Sequence, residues 1–198
     1  MKVAIIVAHP DDETIWSGGL ILQKPEWEWT VLSLCRADDP DRSRKFKLVG
    51  GLLRFDAFIS DVDDSNPLKQ INPQRDIGGR VLNFLASTSW DLCLTHGSNG
   101  EYGHPRHKEV HDEVLRLVHD RTLECHQLWT FAYESNLEKR LCQPHPDANF
   151  QVHLTDKELL EKKRIVNREY GYGEDSFEVR SCITPESFRR SIVREEQQ

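Results

Sequence analysis

The sequence predicts an α/β protein, a single domain built on a mostly parallel sheet with helices on both faces. Two observations support this class. Short apolar runs that are typical of buried strands alternate with longer amphipathic segments that are typical of helices. The 198 residues also fit one ordinary domain, since domains hold about 100–200 residues. We therefore expect one domain over residues 1–198.

The predicted elements follow one another in a regular order. The candidate strands are residues 3–8, 29–35, 57–59, 92–95 and 127–132, and the candidate helices between them are residues 12–23, 42–54, 74–86 and 108–119. Strands that are separated by helices form βαβ units with parallel strands and right-handed connections. The alternation therefore favours a parallel sheet over an antiparallel one.

The last third of the chain, residues 137–198, departs from this alternation. It predicts a loop over residues 137–149, a short strand at 152–154 and a charged helix near 156–170. This pattern does not require a separate domain. We expect the segment either to cover the rim of a site or to form a contact between copies in a homo-oligomer.

The charge balance and the cysteines argue against several classes of function. With 26 basic and 33 acidic residues the net charge is −7, which argues against a nucleic-acid or anionic-membrane partner. The five cysteines are widely spaced without a Cys-x-x-Cys pair, so zinc-ribbon, thioredoxin and disulfide frameworks are not expected. The apolar run before His9 is too short for a signal peptide or a membrane span. We expect a cytoplasmic protein.

The first polar motif is Ala-His-Pro-Asp-Asp-Glu at residues 8–13, directly after the first predicted strand. Pro10 ends the strand, and Asp11 and Asp12 open the next helix. Open parallel sheets bind ligands at the carboxyl ends of their strands. Taken alone, the motif is better explained as a turn with a capping aspartate.

A second polar stretch, residues 95–107, follows the predicted strand at 92–95. Its glycines and Pro105 lead into a helix near His107. If the two strands are neighbours, the polar side chains of both motifs converge on one crevice. The residues that would meet there are His9, Asp11, Asp12, His104 and His107.

These residues predict a metal site. His9 and Asp12 are three residues apart, so one turn directs both at one point, and His107 completes a His/Asp/His set. Three protein ligands with an open position are the pattern of catalytic zinc. Asp11 is then free to act as a general base, and His104 can donate a proton or a hydrogen bond to an oxyanion. We predict one Zn²⁺ per chain, although iron or cobalt also suits such ligands.

Together, the first motif and Gly-Glu-Tyr-Gly-His-Pro-Arg-His at residues 100–107 resemble those of the LmbE/PIG-L family of zinc-dependent de-N-acetylases. The resemblance implies a Rossmann-like fold and a hydrolase that removes the acetyl group from an N-acetylated amino sugar or N-acetylglucosaminyl conjugate. It implies His9, Asp12 and His107 as zinc ligands, Asp11 as base and His104 as electrophile or proton donor. It also implies that Tyr102 is a mobile group that helps to polarise the substrate carbonyl.

Outside the two motifs the resemblance is weaker. It implies that Arg44 holds the sugar and that Asp64 is the matching acid after the third strand. Arg106 is a departure, because the family usually has Asp or Asn between the paired histidines. We expect either that another acid such as Glu101 orients His104, or that Arg106 points outward to bind substrate.

Two other functions remain open from the sequence. A metal-dependent phosphoesterase would use Asp11 and Asp12 on two ions, and a catalytically silent sugar-binding protein would need no base. His111 is predicted to lie on the helix face or behind the ligands, and His96 behind the ligands or in the core. A nucleotide is not expected, because the glycines lack the Lys-Ser/Thr that a P-loop requires.

Overall fold

A mostly parallel sheet forms the centre of the protein, whose computed structural model describes residues 1–66 and 68–193. The strands are β1 (Lys2–Val7), β2 (Glu28–Ser33), β3 (Phe55–Ile59), β4 (Trp90–Thr95), β5 (Cys125–Phe131), β6 (Tyr133–Asn136), β7 (Leu141–Pro144), β8 (Phe150–Val152) and β9 (Glu186–Ile192). The central sheet has the order β3-β2-β1-β4-β5-β9-β8, while β6 and β7 form a separate hairpin. β1 to β5 are parallel, and β9 and β8 are antiparallel additions.

Helices lie on both faces of this sheet. They are α1 (Asp12–Gln23), α2 (Pro40–Leu53), α3 (Gly79–Leu85), α4 (Gly100–Gly103), α5 (Pro105–His119), α6 (Asp156–Arg164) and α7 (Phe177–Ser181). A π-helical turn precedes α3 at Gln74–Gly78, and another follows α6 at Ile165–Glu169. α1, α2 and the turn after α6 contribute to the core on one face, and α3 and α5 to the core on the other.

β1 shows why the sheet is central. Val3, Ile5 and Val7 belong to one core, and the alternate residues Ala4 and Ile6 belong to the other. Successive side chains of a strand point to opposite faces, so a strand that is buried on both faces reads as a continuous apolar run. The apolar run at the start of the sequence is therefore the middle strand of the molecule.

The prediction of one α/β domain with a mostly parallel sheet is confirmed. α1 has the predicted bounds, and the other predicted helices and strands lie within a few residues of theirs. The prediction of a loop over residues 137–149 is wrong, because β7 pairs there with β6 across the register Tyr133↔Pro144 to Asn136↔Leu141. β9 was not predicted, since its largely polar sequence forms a strand only by pairing with β5 and β8, which lie far away in the sequence.

The C-terminal third is part of this domain. It supplies β8 and β9 to the central sheet, and the described residues after α6 approach the carboxyl end of β1. Residues 194–198 of the predicted segment lie outside the described residues. Among the helices of the described part, none is both long and apolar enough to cross a membrane.

A buried ion pair joins this third to α1. The carboxylate of Glu186 in β9 accepts hydrogen bonds from Lys162 Nζ at 2.6 Å and from the backbone N–H groups of Gly19 and Leu20 at 2.7 and 2.8 Å. The side chains of Glu186 and Lys162 are both fully buried. A buried ammonium and carboxylate are tolerated only when each is paired, so this contact constrains how α6, β9 and α1 assemble.

Candidate metal and catalytic site

The two polar motifs meet because β1 and β4 are adjacent strands. The register runs from Val3↔Leu92 to Ile6↔Thr95, so both strands end at the same edge of the sheet. His9 and Asp12 lie in the turn and first helical position after β1, and His107 lies in the first turn of α5. The structure thus brings together the residues that the sequence analysis assigned to one crevice.

Three donor atoms form a compact triangle at this edge. His9 Nδ1 lies 3.2 Å from His107 Nε2 and 3.4 Å from Asp12 Oδ2, and His107 Nε2 lies 3.5 Å from Asp12 Oδ2. Bonds of about 2.0–2.1 Å in a tetrahedral zinc site place neighbouring donors about 3.3 Å apart. The separations and the chemistry of this donor set therefore fit a single divalent cation.

The other ring nitrogen of each histidine contacts a carboxylate. His9 Nε2 lies 3.1 Å from Asp64 Oδ2, and His107 Nδ1 lies 2.6 Å from Glu101 Oε2. Carboxylates accept, so each histidine donates its N–H there and keeps a lone pair for the triangle. Such contacts fix the tautomer and raise the basicity of metal-binding histidines. Asp64, predicted to bind substrate, is thus placed behind His9.

Two further donor groups overlap with the triangle. His9, His104 and His107 form one, and Asp12, His96 and His107 form the other, with donor atoms within 4.8 Å of one another. His96 is a poor ligand, because its Nε2 accepts the N–H of Ala8 and its Nδ1 donates to Glu101. Both groups reuse His107, so the described residues offer one cation position.

The predicted base, Asp11, lies beside the triangle in an unusual backbone conformation. Its φ is 113°, a region that non-glycine residues enter at a cost of about 1–3 kcal/mol. Its N–H donates to Glu13 Oε2 at 3.0 Å, and its Oδ2 accepts from Arg42 Nη2 at 3.1 Å and from the Tyr172 hydroxyl. Burial and the neighbouring Asp12 raise the pKa of Asp11 above its ordinary value, against the effect of Arg42.

A second strained residue supports the histidines. Glu101 has a φ of 55° inside the irregular helix α4. Its carboxylate accepts from His96, from His107 and from the N–H of Gly97. Although burial acts in the opposite direction, the two histidines lower the pKa of Glu101 to about 2. Glu101 therefore holds His107, and it does not orient His104 as one of the two sequence-based expectations proposed.

His104 and Tyr102 lie next to the triangle. The His104 ring centroid is 4.8 Å from that of His9 and 5.8 Å from that of Tyr102. Burial, together with His107 and His9, lowers the pKa of His104 to about 4. His104 Nδ1 and Asp64 Oδ1 are two of the few buried polar atoms in the described part that have no hydrogen-bond partner in the protein. Such atoms mark a polar site that is completed by a ligand or water.

A small cavity opens onto this cluster. Its volume is about 110 Å³. The predicted residues His9, Asp11, Asp12 and Tyr102 line it. Further lining residues came from no sequence motif, namely Ile15, Trp16, Arg42, Tyr172, Phe177 and Glu178. The cavity therefore combines a cation site, a carboxylate and aromatic walls.

The structure does not bring Arg44 to this cavity. Arg44 is largely exposed on α2 and pairs with Asp41 at 3.3 Å. Arg42 reaches the cavity in its place. Two helical positions differ by about 200° around the axis, so Arg42 and Arg44 point to opposite sides.

Arg106 is not available to a substrate either. Its side chain is fully buried, and its guanidinium donates to the carbonyl oxygens of Asp63 and Lys69 and to Glu109. Arg106 therefore fixes the segment that carries Asp64. The expectation that it points outward is wrong, because its hydrogen-bonding groups are used by the loop after β3.

The residues that the sequence analysis missed reach the site over long sequence distances. Arg42, Tyr172 and Phe177 come from α2, the segment after α6 and α7. Their sequence neighbourhoods carry no metal-binding or catalytic pattern. Only the glycines around Tyr172 gave a signal, since Gly171-Tyr172-Gly173 interrupts a helical segment.

Exchange of Glu101 for glutamine is expected to weaken metal binding. The amide NH2 must face either the N–H of Gly97 or the two histidine N–H groups, and the neutral amide oxygen is a weaker acceptor than a carboxylate, so His107 is held less firmly in its tautomer. We expect Glu101→Gln to lower Zn²⁺ affinity by about 10–100-fold in chelator competition. The matched control is Glu113→Gln, which changes another buried carboxylate that pairs with Arg116 away from the site. Equal affinities of Glu101→Gln and the wild type would contradict this assignment.

Fold and site define a class of α/β protein with a His/Asp/His donor triangle and a buried carboxylate beside it at the carboxyl edge of a parallel sheet. No family model matches the chain. An uncharacterized protein of Acanthamoeba polyphaga mimivirus is 29% identical over 151 residues, covering 67% of this chain and 62% of that protein. The 1D-myo-inositol 2-acetamido-2-deoxy-alpha-D-glucopyranoside deacetylase of Corynebacterium diphtheriae is 22% identical over 173 residues, covering 70% of this chain and 59% of that protein. The chain thus spans about three fifths of the length of these curated relatives.

Solved structures that share the fold of this chain include several deacetylases. N,N'-diacetylchitobiose deacetylase from Pyrococcus horikoshii has a TM-score of 0.70 at 16% identity, covering 97% of this chain and 84% of that one. The zinc-inhibited form of teicoplanin deacetylase has a TM-score of 0.63 at 15% identity, covering 91% and 90%. A 4-carboxy-2-hydroxymuconate hydratase of Pseudomonas putida has a TM-score of 0.63 at 16% identity, covering 91% and 83%. The fold alone therefore does not determine the reaction.

Proposed function

We propose that this protein is a metal-dependent hydrolase that removes the acetyl group from an N-acetylated amino sugar or N-acetylglucosaminyl conjugate. The observation that carries the proposal is the triangle of His9, Asp12 and His107 donor atoms with the Asp11 carboxylate beside it. The deacetylases among the structural neighbours and the curated relatives support the acetamide as the bond that is cleaved.

Each residue of the site has a distinct chemical role. When bound, a divalent ion supplies Lewis-acid polarisation and makes water more acidic. Asp11, whose pKa is raised by burial, accepts the proton of the attacking water and returns it to the amide nitrogen as the C–N bond breaks, so that acetate and the free amine leave. The low pKa of His104 keeps its imidazole neutral, so it acts on the developing oxyanion as an N–H donor. Burial raises the pKa of Tyr102, so its hydroxyl stays protonated and donates as well.

The substrate is held by the cavity walls. The rings of Trp16, Tyr102 and Phe177 line the cavity and give the C–H faces of a sugar an apolar surface. Arg42 and Glu178 are the charged groups at the wall that can meet its polar substituents. We assign zinc as the ion, and the zinc-inhibited neighbour makes comparison with Co²⁺ and Fe²⁺ part of the test.

A two-ion phosphoesterase is less well supported. The described residues offer one cation position, because His96 uses both ring nitrogens in protein contacts. A silent sugar-binding protein is also less well supported, since sugar binding alone does not require a strained, buried carboxylate beside the cation position.

The test is acetate release from a panel of N-acetylglucosamine derivatives by protein loaded with each metal. We expect turnover by the wild type and a fall in kcat of about 10²–10⁴-fold for Asp11→Asn, because the proton acceptor is removed. Asp56→Asn removes an exposed carboxylate in β3 and serves as the control. The proposal fails if the panel yields no acetate, or if Asp11→Asn matches the wild type.

A further inference from the structure

The segment after α6 contacts the candidate base from two sides. The hydroxyl of Tyr172 donates to Asp11 Oδ2. The hydroxyl of Tyr170 donates to Glu13 Oε1 at 2.6 Å, and Glu13 Oε2 in turn accepts the N–H of Asp11 at 3.0 Å. One tyrosine thus acts on the Asp11 side chain, and the other acts on its backbone through Glu13.

The two oxygens of Asp11 have different surroundings. Oδ2 accepts from Tyr172 and from Arg42 Nη2, and Arg42 Nη1 donates to the Tyr172 hydroxyl at 2.5 Å. Among the described residues, no donor contacts Oδ1, and it is not among the fully enclosed unpaired atoms. Asp11 lines the cavity, so Oδ1 is the oxygen that remains open to a water molecule there.

We propose that Tyr172 is a positioning residue for Asp11, which together with Arg42 holds Oδ2 and leaves Oδ1 as the basic oxygen. This inference rests on the proposed function for its catalytic meaning. A carboxylate can turn about its Cβ–Cγ bond, and a buried carboxylate turns to satisfy whichever donors surround it. Two donors on one oxygen remove that freedom and present the other oxygen in one direction.

The local chain geometry places Tyr172 for this contact. Gly171 has a φ of 86°, which turns the chain between the buried Tyr170 and the half-buried Tyr172. Asn167 Nδ2 donates to the carbonyl oxygen of Tyr172 at 2.6 Å. The tyrosine is therefore held from its own backbone and does not depend on Asp11 for its position.

The test compares Tyr172→Phe with Tyr133→Phe. Both variants remove one phenolic hydroxyl, and that of Tyr133 donates to the carbonyl oxygen of Trp16 without touching Asp11. We expect Tyr172→Phe to lower kcat by about 10–100-fold, the size of a misplaced catalytic group, with little change in KM. Tyr133→Phe is expected to lower Tm but to keep kcat within about twofold.

Two further readouts separate positioning from other roles. Zn²⁺ affinity, measured by chelator competition, is expected to be equal in Tyr172→Phe and the wild type, because Tyr172 does not contact the donor triangle. In a crystal structure of Tyr172→Phe we expect the Asp11 carboxylate to take a second orientation. An unchanged kcat, a raised KM at unchanged kcat, or an unchanged Asp11 orientation overturns the inference.

These readouts distinguish the failure of this inference from the failure of the proposed function. If the wild type releases no acetate, the proposed function fails, and the orientation of Asp11 in Tyr172→Phe still decides whether Tyr172 holds it. Gly171→Ala is a second variant that keeps the phenol. The positive φ makes an alanine there strained, and we expect it to lower kcat in the same direction by moving Tyr172. Wild-type kcat in Gly171→Ala together with an unmoved Asp11 counts against the inference.

Discussion

Exchange of His107 for glutamine is expected to remove stable metal binding and, with it, hydrolytic activity. The side chain is fully buried and forms one corner of the donor triangle, and glutamine can still donate to Glu101 but is a poor zinc ligand. Structural zinc sites gain about 10–16 kcal/mol from four ligands, or about 3 kcal/mol for each. We therefore expect Zn²⁺ affinity to fall by about 10²–10³-fold.

The matched control is His111→Gln, because His111 lies one helical turn after His107 in α5. His111 Nδ1 contacts the carbonyl oxygen of His96 at 2.7 Å and takes no part in the donor groups. Chelator competition and metal analysis after gel filtration measure both variants, with circular dichroism to show that they are folded. The assignment is wrong if His107→Gln retains wild-type affinity while His111→Gln loses it.

Exchange of Glu186 for glutamine is expected to give a large loss of stability. The change removes the carboxylate that lies 2.6 Å from Lys162 Nζ, so the buried ammonium loses its counter-charge. Removal of one partner of a buried ion pair costs about 3–5 kcal/mol, because the remaining charge stays in an apolar environment. We expect the free energy of unfolding in urea to fall by about this amount, which is a large part of a typical domain's stability.

A double variant tests the reason for this effect. Glu186→Gln combined with Lys162→Met removes the unpaired charge as well, and we expect it to be more stable than Glu186→Gln alone. Glu161→Gln in the same helix breaks a partly exposed pair with Arg164 and is expected to cost less than about 1 kcal/mol. If Glu186→Gln is no more destabilising than Glu161→Gln, the buried pair does not have the role assigned to it.

Much of the fold follows from local sequence patterns. In β1 to β5 and in the helices between them, the spacing of apolar residues matches the type of element that forms. α1, for example, begins and ends at the predicted residues. β7 and β9 were not predicted, because short or polar strands are stabilised mainly by pairing with other strands and carry little local signal. β9 pairs with β5 from Gln127↔Ile192 to Phe131↔Phe188, and no local signal reports such a partner.

From local motifs alone, the sequence predicts which residues bind a cation and provide a base. The spacing of His9, Asp11, Asp12 and His107 indicates their chemistry, and the carboxyl-end rule for parallel strands places them in one crevice once β1 and β4 are neighbours. The side chains that support these residues are visible only in the folded protein. Arg42 replaces Arg44 because of its angle around α2, and Tyr172 reaches Asp11 across 161 positions. Contacts of this kind depend on packing between distant elements, and packing leaves no periodic mark on the sequence.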